Sequence, residues 1–272
     1  MIGKLLRQIL VSALLFLGVF YALLQVDWGS MVPIDRSRVE RYLGKLVWLS
    51  YSSQYHEIKN KEVVAPVDNL LTRLCEANGL ERDSIKLRVV RASEVNAFAG
   101  PDCYLVIHSA LISNCVDEEE LAGVLAHELA HIQKNHVWST VKKELGLSLF
   151  FITLSGNGEQ LAELTKILAS SFYSREQETE ADCTLVAYLC NAGVHPEGMV
   201  RFMQRMSEDD GYVPEWMSTH PNWEHRIATL RMAMKEQEMK KKRSVINAED
   251  WKRMKRYLGK DVKSSKSVDK LK

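Results

Sequence analysis

Apolar residues recur every three to four positions along most of this chain and alternate only briefly. Residues 35–50 set Val39, Leu43, Leu46 and Val47 on one helical face, and Val63–Ala77 repeats the pattern with Val67, Leu70, Leu71 and Leu74. Ile85–Val90 alternates in part and leads through the turn-rich Asn96–Pro101 to Tyr104–His108, giving two short strand candidates. Asp117, with Glu120 three residues on, reads as an Asp version of the capping box. It opens a helix running to about Asn135, with an apolar stripe of Leu121, Leu125, Leu129 and Ile132. Further helices are expected at 158–172, 176–192, 196–207 and 222–240, the last begun by His220-Pro221. The pattern implies an α+β fold, mostly helical with a small β-sheet, and contains no internal repeat.

One segment departs from amphipathic spacing altogether. Ile9–Val26 carries no charge over 18 residues, and Lys4 and Arg7 precede it. It is longer than a usual signal-peptide core, and no small-x-small site follows in Gln25–Ser30. An uncleaved transmembrane signal anchor is therefore expected in preference to a cleaved signal peptide, with Trp28 at the far interface. Arg36, Arg38 and Arg41 weaken the charge asymmetry across it. Asp27, and the lack of Lys or Arg before Arg36, still favour a single-pass protein whose main domain is extracytoplasmic. Gly146–Leu154 is apolar but too short to span, and reads as a buried helix or lid segment.

Composition changes this picture in two places. With 272 residues, 46% hydrophobic and 26% charged, the chain can bury a sizeable core, which excludes a disordered protein or a small disulfide scaffold. The net charge of +1 hides an asymmetry: Lys235 onward holds 14 basic and 6 acidic residues, against 22 and 29 before it. The expected organisation is a basic N-region at 1–8, the anchor at 9–26, a linker at 27–34, one domain at 35–234 and a basic tail at 235–272. Within the tail, 248–260 puts Trp251, Met254, Tyr257 and Leu258 on about one helical face flanked by Lys252, Arg253, Lys255 and Arg256. That suits an interfacial helix on anionic lipid, with a solvated, frayed terminus the equal alternative. With one Trp, one Tyr and no recognised motif, the tail implies no nucleic-acid partner. Five cysteines without a CxxC pair read as core thiols rather than a disulfide framework.

The chemistry lies on the helix opened by Asp117. His127-Glu-Leu-Ala-His131 is an HExxH motif, and residues four apart lie about 40° apart around the axis, so both imidazoles can face one metal ion. Glu128, one position off that line, can reach an attacking water without binding the metal, as a general base must. A catalytic zinc needs a third protein ligand and an open position. The metzincin spacing is excluded by Lys134 and Val137, and His136, five residues past His131, is rotated roughly 140° away on the helix and is a poor ligand. A better source is Ser174–Asp182, where Glu178 can bind zinc while Asp182, four residues on, supports a ligand imidazole. Glu176 and Glu180 are rivals for the ligand position, and a solvated acidic face is the bland reading.

His127–His131 with His136 after it, Glu178-Thr-Glu-Ala-Asp182 and Ser218-Thr-His220-Pro221 with Arg226 together resemble the gluzincin family that includes the CAAX prenyl proteases, the HtpX-type heat-shock proteases and the mitochondrial Oma-type proteases (peptidase family M-forty-eight). The resemblance covers roughly 35–234 and implies a zincin-like fold with one Zn2+ per chain held by His127, His131 and Glu178, and supported by Asp182. It also implies that Asn96 and Phe98, and Tyr104 and Val106 on the following strand, form the substrate-side edge, with Arg226 near the substrate carbonyl or in an ion pair. Three roles are open for His220: donor to the developing oxyanion, inhibitory fourth ligand, or a residue that merely precedes a helix-starting proline.

Two departures stand out. Many relatives have Pro-Gly-Gly where this chain has Pro101-Asp102-Cys103, and multispanning relatives carry extra membrane helices that are lacking here, so prenyl-protein processing is less expected than the single-anchor, periplasmic or Oma-type activity. The implied function is that of a membrane-anchored zinc endopeptidase with unfolded or damaged proteins as substrates, which pair as a strand along Tyr104–His108. The competing reading is a non-catalytic membrane-associated binding module with a structural or absent metal.

Overall fold

The structure, a computed structural model, describes residues 35–143, 173–207 and 214–268, with side chains through Gly259. The expected anchor at 9–26, the apolar segment 146–154 and the helix expected at 158–172 lie outside the described residues. No helix among the described residues is long and apolar enough to cross a membrane.

Helix α1 (Arg36–Gln54) is capped by the Asp35 side chain, and α2 (Lys61–Ala77) by Asn60. Strands β1 (His56–Glu57), β2 (Lys86–Arg91), β3 (Ala97–Gly100) and β4 (Tyr104–His108) form one sheet in the order β1-β2-β4-β3. β2 runs parallel to β4, with Lys86 opposite Tyr104, while β3 returns antiparallel, with Ala97 opposite Ile107. The β3–β4 turn is Pro101-Asp102-Cys103, and Asp102 and Cys103 have φ of 61° and 57°. Glycine takes such angles freely, so the Pro-Gly-Gly expected from the resemblance is replaced by residues that carry strain here. Two contacts hold it: Lys86 pairs with Asp102, and α1 presses on the turn at Gly44, where a Cβ would come within 2.6 Å of Asp102 Cβ.

The short α3 (Ser109–Asn114) follows, then α4 (Glu118–Gln133), the helix predicted to carry the chemistry. Every residue from Glu120 to His131 is buried, so α4 is enclosed on all sides rather than along one stripe. Its start is as expected in part: Asp117 accepts from Glu120 N–H at 3.0 Å. Glu120 does not reach back to Asp117, however, but accepts from Val116 N–H at 2.9 Å and pairs with Arg205. A second helical segment resumes at 136–143.

Helices α5 (Arg175–Ala192), α6 (Glu197–Ser207), α7 (Glu215–Thr219), α8 (Trp223–Glu236) and α9 (Ala248–Val268) complete the domain. α5 has a full capping box, Ser174 with Gln177, and ends at Gly193 in the left-handed region. α6 crosses α4 closely: a Cβ on Gly123 would meet Met199 Cβ at 2.8 Å. α8 starts at Trp223, after Pro221 and its N-cap residue Asn222, and stops short of the expected residue 240. Cys75, Cys115 and Cys190 are buried as expected, Cys103 is half-buried and Cys183 is exposed.

The basic tail needs correction. Ile246, Met254 and Leu258 belong to the main core, and Trp251 and Tyr257 pack against it, so the face expected to meet lipid is covered by the protein itself. Val245 and Ile246 N–H groups donate to Glu118 at 3.0 and 2.6 Å, fastening the tail to the start of α4. Lys255 Nζ donates to the carbonyls of Ile112, Ser113 and Cys115, at the end of α3. The compact domain therefore continues past 234 through at least Leu258; 235–258 is basic but not separate.

Candidate metal centre

Because α4 is buried from Glu120 to His131, His127 and His131 meet in the interior one helical turn apart, with Nε2 atoms separated by 3.0 Å. Glu178, from α5, turns one oxygen to each: Oε2 is 3.5 Å from His127 Nε2 and Oε1 is 3.4 Å from His131 Nε2. His220, at the end of α7, brings Nδ1 to 2.8 Å from Glu178 Oε1 and 3.3 Å from His127 Nε2. One ligand atom from each of these four residues lies within 4.8 Å of all the others. The edge of a tetrahedron with zinc-ligand bonds of about 2.0–2.1 Å is about 3.3 Å, so these separations fit a zinc-sized ion. The donor chemistry fits too: imidazole nitrogens and a carboxylate, all 0–2% exposed. Glu178 Oε2 is buried and receives no hydrogen bond among the described residues, although Arg226 Nη1 lies 2.9 Å away.

Charge behind the site is organised by Arg226. Its Nε and Nη2 donate to the two oxygens of Asp182, each at 2.8 Å, and Nη1 donates to the His220 carbonyl at 3.1 Å. Asp182 Oδ1 lies 3.1 Å from His127 Nδ1, on the ring edge that faces away from the cluster. Burial pushes the Asp182 carboxyl up, but Arg226 and His127 outweigh it and hold it below its ordinary value. Burial likewise opposes charge on Glu178, and His220, Arg226 and His127 together hold it well below the usual carboxylate range. His127 is pushed down by burial and by Arg226, yet Glu178 and Asp182 carry it up to about 9. His131 moves the other way, well below its usual value, chiefly because burial disfavours its charged form.

Glu128 is completely buried between this cluster and the sheet. It accepts from Ala99 N–H at 3.0 Å and from the Trp216 indole N–H at 2.9 Å, and His220 Nε2 is 3.4 Å from its Oε1. His108 N–H donates to the Asn96 carbonyl, so Ala97 and Ala99 on β3 turn their main-chain groups outward, toward Glu128. β3 has no other strand on that side among the described residues. This corrects the expectation of pairing along Tyr104–His108. β4 lies between β2 and β3, both its edges are taken, and Tyr104 and Val106 are buried at 7% and 1% exposure.

Of the other expected site residues, Phe98 is half-buried on β3 against Tyr51, and Asn96 is buried with no hydrogen-bond partner for its side-chain oxygen among the described residues. Arg226 is 2% exposed and engaged in the contacts above, facing the cluster from behind. Among the rival carboxylates, Glu176 is exposed, and Glu180 turns to Lys134 at 2.9 Å and His136 at 3.2 Å.

Two neighbours, Trp216 and Tyr173, went unread in the sequence. Trp216 stacks on His220 with ring centroids 5.0 Å apart and faces His127 edge-on at 5.5 Å, besides bonding Glu128. Tyr173 stacks on His131 at 3.7 Å. Neither carries a spacing signal. His136 lies 3.0 Å from His131, nitrogen to nitrogen, because the helix ends at Gln133 and Asn135 takes φ of 57°. The signal for that turn was present, since Asn is among the few residues that enter the left-handed region readily.

The chain is similar to several known proteases. The chain is 28% identical over 182 residues to the beta-barrel assembly-enhancing protease of Yersinia pestis, covering 61% of this chain and 37% of that one. It is 25% identical over 193 residues to metalloprotease LoiP of Escherichia coli K12, covering 65% and 76%. It is 26% identical over 192 residues to the mitochondrial metalloendopeptidase OMA1 of Schizosaccharomyces pombe, covering 68% and 57%. The chain thus spans under two-fifths of the length of the assembly-enhancing proteases it matches. The pattern of Peptidase family M48 matches residues 60–234, from the start of α2 to the last turns of α8, and the chain belongs to that family.

Proposed function

We propose that this chain is a zinc-dependent endopeptidase, anchored to a membrane by residues 9–26 with its domain on the extracytoplasmic side, that degrades unfolded or damaged proteins. One observation carries the catalytic reading: His127, His131 and Glu178 converge on a single point, with Glu128 between that point and the open edge of β3. His127, His131 and Glu178 would hold the ion. Zinc, when bound, polarises a scissile carbonyl and makes the attacking water more acidic. Glu128 takes the proton from that water and later delivers it to the leaving amine.

Substrate in extended form would pair with the outward main-chain groups of Ala97 and Ala99, with affinity that makes little demand on sequence. Before it can do so, Glu128 must release the Ala99 N–H, so binding of substrate and freeing of the base are coupled. Asn96 and Phe98 flank that edge. His220 fills the fourth corner in this arrangement, which supports a resting site closed by that imidazole more than a donor already poised for an oxyanion. Arg226 and Asp182 then act as supports for His127 and Glu178. The names of the relatives, a beta-barrel assembly-enhancing protease and a mitochondrial metalloendopeptidase, suit a role in envelope or organelle protein quality control. A binding module with a structural metal has no use for a buried carboxylate beside the open edge, which disfavours that alternative.

The test uses the full chain in detergent, with zinc measured by elemental analysis and casein cleavage followed with and without chelator. Glu128→Gln should keep stoichiometric zinc and lose about 10^2- to 10^4-fold in activity. Glu178→Ala should lose the zinc as well. Turnover at the wild-type rate by Glu128→Gln would sink the mechanism, and zinc retained by Glu178→Ala would sink the ligand set. His220→Ala should raise basal cleavage; a fall with zinc retained would assign His220 to the oxyanion.

A further inference from the structure

The two metal-facing imidazoles of α4 are supported in different ways. His127 turns Nδ1 to a carboxylate directly, 3.1 Å from Asp182. His131 reaches one only through a second imidazole: its Nδ1 is 3.0 Å from His136 Nδ1, and His136 Nε2 is 3.2 Å from Glu180 Oε2. His136 is 4% exposed, held at the turn made by Asn135, while Glu180 is half-exposed and also pairs with Lys134.

Proton counting gives this chain a single sense. An imidazole that offers the Nε2 lone pair to a metal carries its proton on Nδ1. The acceptor for the His131 Nδ1–H among the described residues is the His136 Nδ1 lone pair, so His136 carries its own proton on Nε2 and donates it to Glu180. Reversing the first bond would move the His131 proton to Nε2, where it would point at His127 Nε2 3.0 Å away and close the metal position. Tyr173, stacked on His131 at 17° between planes, fixes the remaining freedom of the ring.

We propose that Glu180 and His136 form a positioning chain that sets the tautomer and ring plane of His131 for metal binding; this rests on the zinc reading above. Outer partners of metal-bound imidazoles typically change affinity by about 10- to 100-fold when removed. His136 here does the work that Asp182 does directly for His127, and Glu180 acts only through His136.

The experiment measures zinc affinity, not activity, on the full chain by competition with a chromophoric chelator. His136→Phe should bind zinc about 10- to 100-fold more weakly. His136→Gln, whose amide can accept from His131 and donate to Glu180, should recover a measurable part of that loss. Glu180→Ala should weaken binding in wild type but add nothing in the His136→Phe background, because the two act in series. Lys134→Ala, which removes only the surface ion pair, should leave affinity unchanged. Wild-type affinity in His136→Phe, no rescue by Gln, or multiplying losses in the double variant would each overturn the chain. Should the wild-type chain itself fail to bind zinc, or His131→Ala bind it normally, the metal reading falls and takes this inference with it; the His136 variants failing alone leaves the metal reading intact.

Discussion

Buried histidines lie on either side of strand β3, and His127 and His108 are opposites. On one side, Glu128 bonds Ala99, and behind it His127, His131 and His220 gather around Glu178 and Asp182. On the other, His108 is fully buried among Tyr51, Tyr55 and the Glu94 carbonyl, with Phe98 packed on Tyr51. His127 and His108 are equally inaccessible, both at 0% exposure, yet His127 is held up at about 9 and His108 is pushed below its usual value. Burial opposes charge on both. The difference is that two carboxylates stand within 3.5 Å of His127, whereas His108 is hydrogen-bonded to a neutral phenol and a carbonyl. Neither burial nor the direction of the shift is therefore the sign of a metal site, since His131 is also pushed well below its usual value; the sign is imidazole nitrogens converging with a carboxylate on one point.

The sharpest way to break this comparison is to remove the cation that makes the charged side tolerable. Arg226 faces both Glu178 and Asp182 within 2.9 Å, and it is 2% exposed. Arg226→Met, close in volume but neutral, leaves those carboxylates with only imidazole partners, and chelator-treated protein should lose about 3–5 kcal/mol of unfolding free energy. Zinc should restore part of that stability by supplying positive charge and binding only the folded state. A loss under about 1 kcal/mol in urea unfolding would mean that the cluster is not held by charge.

How far the chain could be read without its structure follows the same division. His127, Glu128 and His131 were legible because they share one helix at a fixed spacing, whereas Glu178 was singled out from Glu176 and Glu180 only by the family resemblance. Spacing within a helix is a local property, so periodicity finds it. The order of strands is not local. Nothing in Tyr104–His108 says that β3 folds back outside it, so the inner strand was taken for the edge. The apolar face of 248–260 was real, but periodicity cannot tell whether protein or lipid will cover it, and here α2 and α3 lie against it. Trp216 and Tyr173 belong to segments without regular spacing, and only the packing brings them to the histidines.

Trp216 gives the intermediate test. Its indole N–H is one of two main supports of Glu128, at 2.9 Å, and the ring is fully buried. Trp216→Phe removes that bond to the Glu128 side chain, a loss of about 1.5–3 kcal/mol, while leaving an aromatic ring against His127 and His220. If the bond orients the base, kcat should fall about 10- to 100-fold with zinc affinity within twofold of wild type. Zinc affinity falling in step with kcat would instead make Trp216 a general support of the histidine cluster.

The smallest effect is expected on the neutral side, and it tests the other half of the comparison. His108 Nε2 lies 2.7 Å from the Tyr51 hydroxyl and Nδ1 lies 3.0 Å from the Glu94 carbonyl, so the neutral ring donates from Nδ1 and accepts the phenol proton at Nε2. Burial lowers its proton affinity in the folded state, with the Glu94 carbonyl opposing, while the unfolded chain keeps the ordinary value near 6.5. Below that pH the unfolded chain binds the extra proton, so stability contributed by this group is present above about 6.5 and drains away as the pH falls toward the folded value. For one proton the slope cannot exceed about 1.4 kcal/mol per pH unit. His108→Gln, which can still accept from Tyr51, should unfold with a shallower acid-side slope than wild type, and the difference between the two curves should be confined to pH values below about 6.5. Tyr51→Phe should lower stability at every pH by about 1 kcal/mol, because it leaves Nε2 without its donor. If the His108→Gln curve runs parallel to wild type down to pH 4, His108 is not a neutral buried group, and the two histidine environments differ less than their surroundings imply.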